Sequence, residues 1–285
     1  MSHTGTSHEG AVLAATHFDR TTTIHHAGED ESGGRFLVDL DESWAALLGV
    51  HGGYLTALAV RAAEATAPDR GVRTVATTFL RPAQVGPAEI HVHVVRSGRS
   101  FTTIDADVHQ GGRVITNTRV TMLSGSVGHR VASGAAVAGW TETVTDRPAS
   151  LSRCVPFASP ASLRHFENAE FLIDPETIPH GDADHARIAG HVRPLEVRPL
   201  DAGWLVMIGD WFPPSPFRRV NPPVGGVSID YTVHIHRTVA AQPELWLEGV
   251  FTAGTNLGGI ALEHGSLAMP DGTLVAEIFH TRWTG

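Results

Sequence analysis

The chain has 285 residues, 42% hydrophobic and 18% charged, enough for one large domain or two of ordinary size. A formal charge of −9, with no run of Lys or Arg to offset it, excludes the electrostatic footprint of a nucleic-acid binder. A single cysteine, Cys154, excludes an internal disulfide or a cysteine metal cluster and fits a reducing compartment.

Residues 1–10 are polar and hold no cationic stretch followed by an apolar run, so no signal peptide is expected. No segment approaches the roughly 20 apolar residues of a membrane span, and the expected location is cytoplasmic. Residues 35–40 read as a short strand. His51-Gly52-Gly53 then opens an apolar segment, 54–67, of helical length and composition. Runs 73–81, 88–96, 101–110 and 113–123 read as strands, with alternation at Ile90, Val92, Val94 and again at Ile104, Ala106, Val108. Pro82 to Pro87, Ser97-Gly98 and Gly111-Gly112 supply the breaks. Residues 126–185 read as a connector, punctuated by Pro148, Pro156, Pro160 and Pro175.

The order then repeats. Residues 186–193 predict a strand, 201–212 a helix, and 227–237, 244–253, 257–269 and 273–282 four more strands. Phe79-Leu80-Arg81 falls on Ile235-His236-Arg237, and Gly111 to Ile115 falls on Asp271 to Val275, so the repeat is one of pattern more than of identity. The alternative is chance alignment of two β-rich halves. From Trp204 to Phe212 every residue except Gly209 and Asp210 is apolar, which describes a helix covered on most sides. The expected class is α+β, with two antiparallel sheets each wrapped around a central helix. The expected domains are 1–125 and 186–285, joined by the connector.

Those residues carry a resemblance. A β-rich half whose helix opens on His-Gly-Gly resembles the hotdog fold, and the tandem arrangement resembles the double-hotdog acyl-CoA thioesterases of the type II family. The second half carries the more specific strings: Arg198-Pro-Leu-Asp-Ala-Gly-Trp-Leu entering a helix with an Asp, Asp210, before Pro213-Pro214, then Ser228-Ile-Asp-Tyr-Thr-Val-His-Ile-His-Arg, then Asp271-Gly-Thr-Leu-Val-Ala. The resemblance implies hydrolysis of acyl-CoA to free fatty acid and CoA, with acyl-CoA as the partner and no cofactor or metal.

Thioester hydrolysis needs a polarised carbonyl, a water and a base for its proton. Unpaired N–H groups at a helix N-terminus supply the first. Gly52 and Gly53, following His51, fit an oxyanion or substrate-binding role, since glycine lets a carbonyl approach the backbone; alternatively they only make the turn. Asp210 is the sole ionisable residue of its apolar helix and the best candidate base, with burial expected to raise its pKa toward a useful range. The alternative is a helix-end Asp that escapes to solvent. In single-hotdog thioesterases that this chain resembles, an acid lies nine residues after the His. Here that position is Val60, while counting back nine from Asp210 reaches Asp201. One composite site is the consequence, with the glycines from one half and the acid from the other. In the double-hotdog family a hydroxyl residue and a Gln assist the acid. Those positions fall on Ser228 and, as a departure, on His280.

Other chemistries fit less well. His234-x-His236 and His91-x-His93 have a metal-like spacing but no third ligand follows by spacing. Gly226-Val-Ser228-Ile-Asp230 lacks the second Gly of a serine-hydrolase elbow. A non-catalytic acyl-CoA binding or sensing protein and a hotdog hydratase or dehydratase remain as alternatives, and a homodimer is possible.

Overall fold

Alternating apolar residues build the sheet of this protein, and two nearly uninterrupted apolar runs build the helices that it covers. The computed structural model describes residues 14–30, 33–125, 143–159, 161–220 and 226–285. The first half opens with a short helix α1 (His17–Thr21), whose Thr16 cap accepts from the Asp19 amide. β1 (His25–Asp30) and β2 (Gly33–Leu40) follow. β1 has no apolar alternation, so its polar string gave no strand signal. It lies at the sheet edge, where a strand has one neighbour only. Helix α2 (Gly52–Thr66) then precedes β3 (Arg70–Phe79), β4 (Gly86–Ser97), β5 (Phe101–Gln110) and β6 (Arg113–Ser124).

The expected connector departs from expectation. Residues 126–142 and Pro160 lie outside the described residues. What is described adds β7 (Val155–Pro156) and β8 (Ala169–Ile173) to the far edge of the second half. Ala169, Phe171 and Ile173 alternate inward, a short period that the surrounding prolines obscured. The second half then runs β9 (Ala186–Pro194), α3 (Ala202–Gly209), β10 (Val227–Ile235), β11 (Leu247–Leu257), β12 (Ile260–Ala268) and β13 (Leu274–Trp283).

Where two sheets were expected, the described residues form one antiparallel sheet of 13 strands, in the order β1-β2-β4-β5-β6-β3-β10-β13-β12-β11-β9-β8-β7. The physical reason is edge satisfaction. β3 and β10 pair with each other from Thr74 opposite His234 to Thr78 opposite Asp230, so neither half leaves an inner edge open. Read from outside inward, β2-β4-β5-β6-β3 and β9-β11-β12-β13-β10 have the same order. The repeat extends to single hydrogen bonds. Leu80 and Arg81 both donate to Ile115 O, and His236 and Arg237 both donate to Val275 O.

The two helices pack against each other inside the curve of the sheet. α3 is buried throughout, and α2 is buried from Gly53 to Val60 and at Ala62 and Ala63. They run antiparallel: the end of α3 meets the start of α2, and Asp201 at the start of α3 meets Arg61 near the end of α2. A Cβ on Gly53 would lie 2.6 Å from Met207 O, so glycine is what allows this approach. α3 ends at Gly209, three residues before the expected Phe212. Pro213 disfavours helical backbone in the residue before it, and Asp210 becomes the C-cap. No helix among the described residues is long and apolar enough to cross a membrane.

Candidate active site

Asp210 leaves the end of α3 and places its carboxylate on the start of α2. Gly53 N–H donates to Asp210 Oδ2 at 2.9 Å, so the carboxylate of one half lies at the positive end of the other half's helix. His51, the N-cap of α2, accepts from Tyr54 N–H through Nδ1 at 3.3 Å. That leaves the proton on Nε2, which donates to the Asp210 backbone carbonyl at 3.0 Å. Burial pushes the His51 pKa down, so the ring is neutral at physiological pH.

The other carboxylate oxygen, Oδ1, faces the strands. Ser228 Oγ on β10 donates to it at 3.3 Å, and His280 Nε2 on β13 lies 3.1 Å away. The His280 contact is close but off the axis of a well-formed hydrogen bond, and Nε2 has no other partner among the described residues. Beneath them is Arg282, 3% exposed, which contacts both. Its Nη1 donates to Ser228 Oγ at 3.2 Å and its Nη2 to His280 Nδ1 at 3.0 Å. Its Nε donates to Glu263 Oε2 at 2.7 Å, and Ser215 N–H donates to Glu263 Oε1 at 2.7 Å. Burial alone would raise the Asp210 pKa. The His280 contact, His51 and Arg282 outweigh it and hold the carboxyl far below its ordinary range. Burial likewise opposes ionisation of Glu263, and Arg282 with His280 and Ser215 overrides it, to about 2.

The six residues singled out by sequence, His51, Gly52, Gly53, Asp210, Ser228 and His280, therefore meet at one place between the halves. Three expectations need correction. The Asp210 pKa is lowered, not raised, because donors and a cation surround the carboxylate. Gly53 N–H is engaged by that carboxylate, and both nitrogens of His51 are used inside the protein, so neither is an open donor for substrate. Gly52 lies beside them, where a Cβ would come within 2.9 Å of Asp210 Oδ2. Away from the site, His91 contacts Glu89 and stacks on His109, and His236 contacts Glu277. No cluster of metal-ligating side chains occurs among the described residues. Burial pushes the Cys154 thiol up to about 11, which leaves it protonated and unreactive.

The opposite end of the helix pair is built differently. Asp201 caps α3 and takes ion pairs from Arg61 of α2 at 3.0 Å and Arg198 at 2.8 Å. A Cβ on Gly203 would meet the Arg61 guanidinium at 3.2 Å. That end is closed by charge pairs.

Comparison with protein-family models matches residues 40–123 to the acyl-CoA thioesterase N-terminal domain and residues 129–282 to the acyl-CoA thioesterase C-terminal domain. The chain belongs to the acyl-CoA thioesterase family. It is a thioester hydrolase by that membership, and the resemblance read from its motifs holds. Among solved structures, a hot dog fold protein of unknown function from Alicyclobacillus acidocaldarius is 21% identical, covers 96% of this chain and 99% of its own, and superposes with a TM-score of 0.80. The tesB protein of Mycobacterium avium subsp. paratuberculosis is 20% identical over 94% of this chain and 98% of its own, with a TM-score of 0.71. The acyl-CoA thioesterase II TesB2 of Mycobacterium marinum is 18% identical over 94% and 96%, with a TM-score of 0.70. These likenesses establish the hotdog fold. Comparison with curated proteins returns no match.

Glu263, Arg282 and His165 touch this site and were missed by sequence reasoning. Glu263 and Arg282 lie at inward positions of β12 and β13, in step with the buried Ala261, Leu267, Ile278 and His280. A charge in the buried phase of an alternating strand was the available signal. The third is His165, in the stretch expected as connector, which stacks on His51 at 4.5 Å between ring centroids. Nothing in its sequence context marks it.

Proposed function

We propose that the chain is two fused hotdog units sharing one composite site, and that this site hydrolyses acyl-CoA thioesters to free fatty acid and CoA with water activated at Asp210. The observation that carries the reading is the Asp210 carboxylate of the second half seated on the α2 N-terminus of the first, with Ser228 and His280 on its free oxygen. In this reading the thioester carbonyl points at the start of α2, where Gly52 N–H and the helix dipole polarise it. Water held by Asp210 Oδ1, Ser228 and His280 adds to the carbonyl carbon and gives a proton to Asp210. The tetrahedral intermediate then expels the CoA thiolate, which takes up that proton. Because Asp210 is a weak base, its contribution is chiefly to aim the water and hold the proton briefly during transfer. The acyl-CoA is the partner, and a homodimer of such units is compatible with the reading.

The test is thiol release from acyl-CoAs of increasing chain length, with Asp210→Asn alongside. The expected result is turnover in one chain-length range and a loss on the order of 10²-fold or more in the Asn variant, the scale of a lost general base. Undiminished turnover in Asp210→Asn sinks the assignment of the base. Binding without cleavage in the unaltered protein points to an acyl-CoA-binding relative. The lowered pKa adds a second expectation: kcat/KM shows no acid limb from Asp210 between about pH 5 and pH 8. A sigmoid fall in that window that Asp210→Asn abolishes contradicts it.

A further inference from the structure

We propose that Arg282 is a positioning residue that fixes His280 as its Nε2–H tautomer and turns the Ser228 hydroxyl toward Asp210, an inference that rests on the composite-site reading above. An arginine side chain carries donors and no acceptor. Its Nη2 contact of 3.0 Å therefore requires a lone pair on His280 Nδ1, which leaves the ring proton on Nε2, the atom that faces Asp210. Its Nη1 contact of 3.2 Å occupies a lone pair of Ser228 Oγ and leaves the hydroxyl proton to point along the 3.3 Å contact to Asp210 Oδ1. One guanidinium thus sets the donor direction of both groups that flank the carboxylate.

The arrangement answers the departure at His280. A Gln amide offers its N–H₂ without any choice of tautomer, whereas a histidine offers N–H on either nitrogen or on both. At position 280 the wrong form would present a lone pair to the Asp210 carboxylate. The groups that face the ring are Asp210 at the end of α3, Glu263 on β12, Arg282 on β13, and Tyr231 on β10, which stacks on it at 4.3 Å. Glu263 Oε2 is also near Nδ1, at 3.4 Å, and would favour a proton there. It accepts Arg282 Nε at 2.7 Å, so the arginine both neutralises it and takes the nearer place at Nδ1. Glu263 in turn holds Arg282 through its Nε.

Two measurements test this. The first is long-range proton–nitrogen correlation NMR on the whole protein, with His280 assigned by its absence in His280→Gln. The expected spectrum at neutral pH shows a bare Nδ1 and a protonated Nε2 for this ring, and Arg282→Gln shifts it toward a tautomer mixture. A wild-type ring with its proton on Nδ1, or on both nitrogens, overturns the proposal without any activity being measured. The second is a double-mutant cycle in thiol release. Arg282→Gln is expected to lower kcat by about 10- to 100-fold with little change in KM, as loss of an orienting partner does. The same change in the His280→Gln background is expected to cost several-fold less, because Gln has no tautomer to control. Equal losses in both backgrounds overturn the control of the His280 tautomer. Arg282→Met with Glu263→Gln removes the buried pair as a unit, and shows by its unfolding midpoint whether a loss is one of folding. If Asp210→Asn retains turnover while the NMR result holds, the base assignment fails and the positioning stands.

Discussion

At the scale of the residue, the site depends on how closely two backbones approach. Gly53→Ala places a methyl 2.6 Å from Met207 O, which cannot give way without moving a helix, and 2.9 Å from His51 Cε1, on a ring held by hydrogen bonds at both nitrogens. Overpacking of this kind costs about 1–3 kcal/mol, more than the ~1 kcal/mol that alanine returns in helix propensity. Gly53→Ala is therefore expected to lower the urea midpoint measurably. A midpoint at or above wild type would mean that the helices are not in contact there. The candidate base was legible because one carboxylate in a fully apolar helix demands partners. Its pKa was not, since that depends on which donors reach it, and Arg282 and His280 arrive from a strand some seventy residues later in the chain. Arg282 itself was hidden because a lone arginine on a strand is usually solvent-facing. Only the phase of β13 distinguishes it.

At the scale of the element, the four long strands and the helix of each half follow from their periodicity, and their boundaries move by a few residues. The exceptions are short pieces with little apolar area. β1 is a strand because a neighbour offers it hydrogen bonds, a tertiary effect that its own sequence does not announce, and the alternation of β8 is too short to stand out among prolines. The turn carrying His165 belongs with them, and it makes a prediction about acid. His165 is 6% exposed, and burial together with His51 pushes its pKa down to about 3 from an ordinary 6.5. Between those values the unfolded chain binds the proton and the folded one does not, so stability present above about pH 6.5 drains as the pH falls. At roughly 1.4 kcal/mol per unit, lowering the pH from 6.5 to 5 costs about 2 kcal/mol from this group. Urea unfolding at the two pH values should show that loss, and His165→Phe should remove most of it. An unchanged slope in the Phe variant would assign the acid sensitivity elsewhere.

At the scale of the whole molecule, the repeat was legible and the single sheet was not. Two segments of like pattern foretell two like units, but joining them edge to edge depends on the register between β3 and β10. That register is set by strands far apart in sequence. The joint implies one cooperative unit: α2 and α3 bury each other, and β3 has no other partner on its inner edge. Residues 1–125 expressed alone are therefore expected to self-associate through β3 and the bared face of α2, seen by light scattering as dimers or larger species. A folded monomer would show that the first half is independent.

The closed end of the helix pair, where Arg61 and Arg198 hold Asp201, bears on how such a molecule changes over generations. In a dimer of identical single units, each mutation is written into both ends at once, and a change that improves one must be tolerated at the other. A single chain that encodes its two ends separately is free of that coupling. In this chain the two ends hold different residues, His51 with Asp210 at one and Arg61 with Asp201 at the other, so each can change without the other.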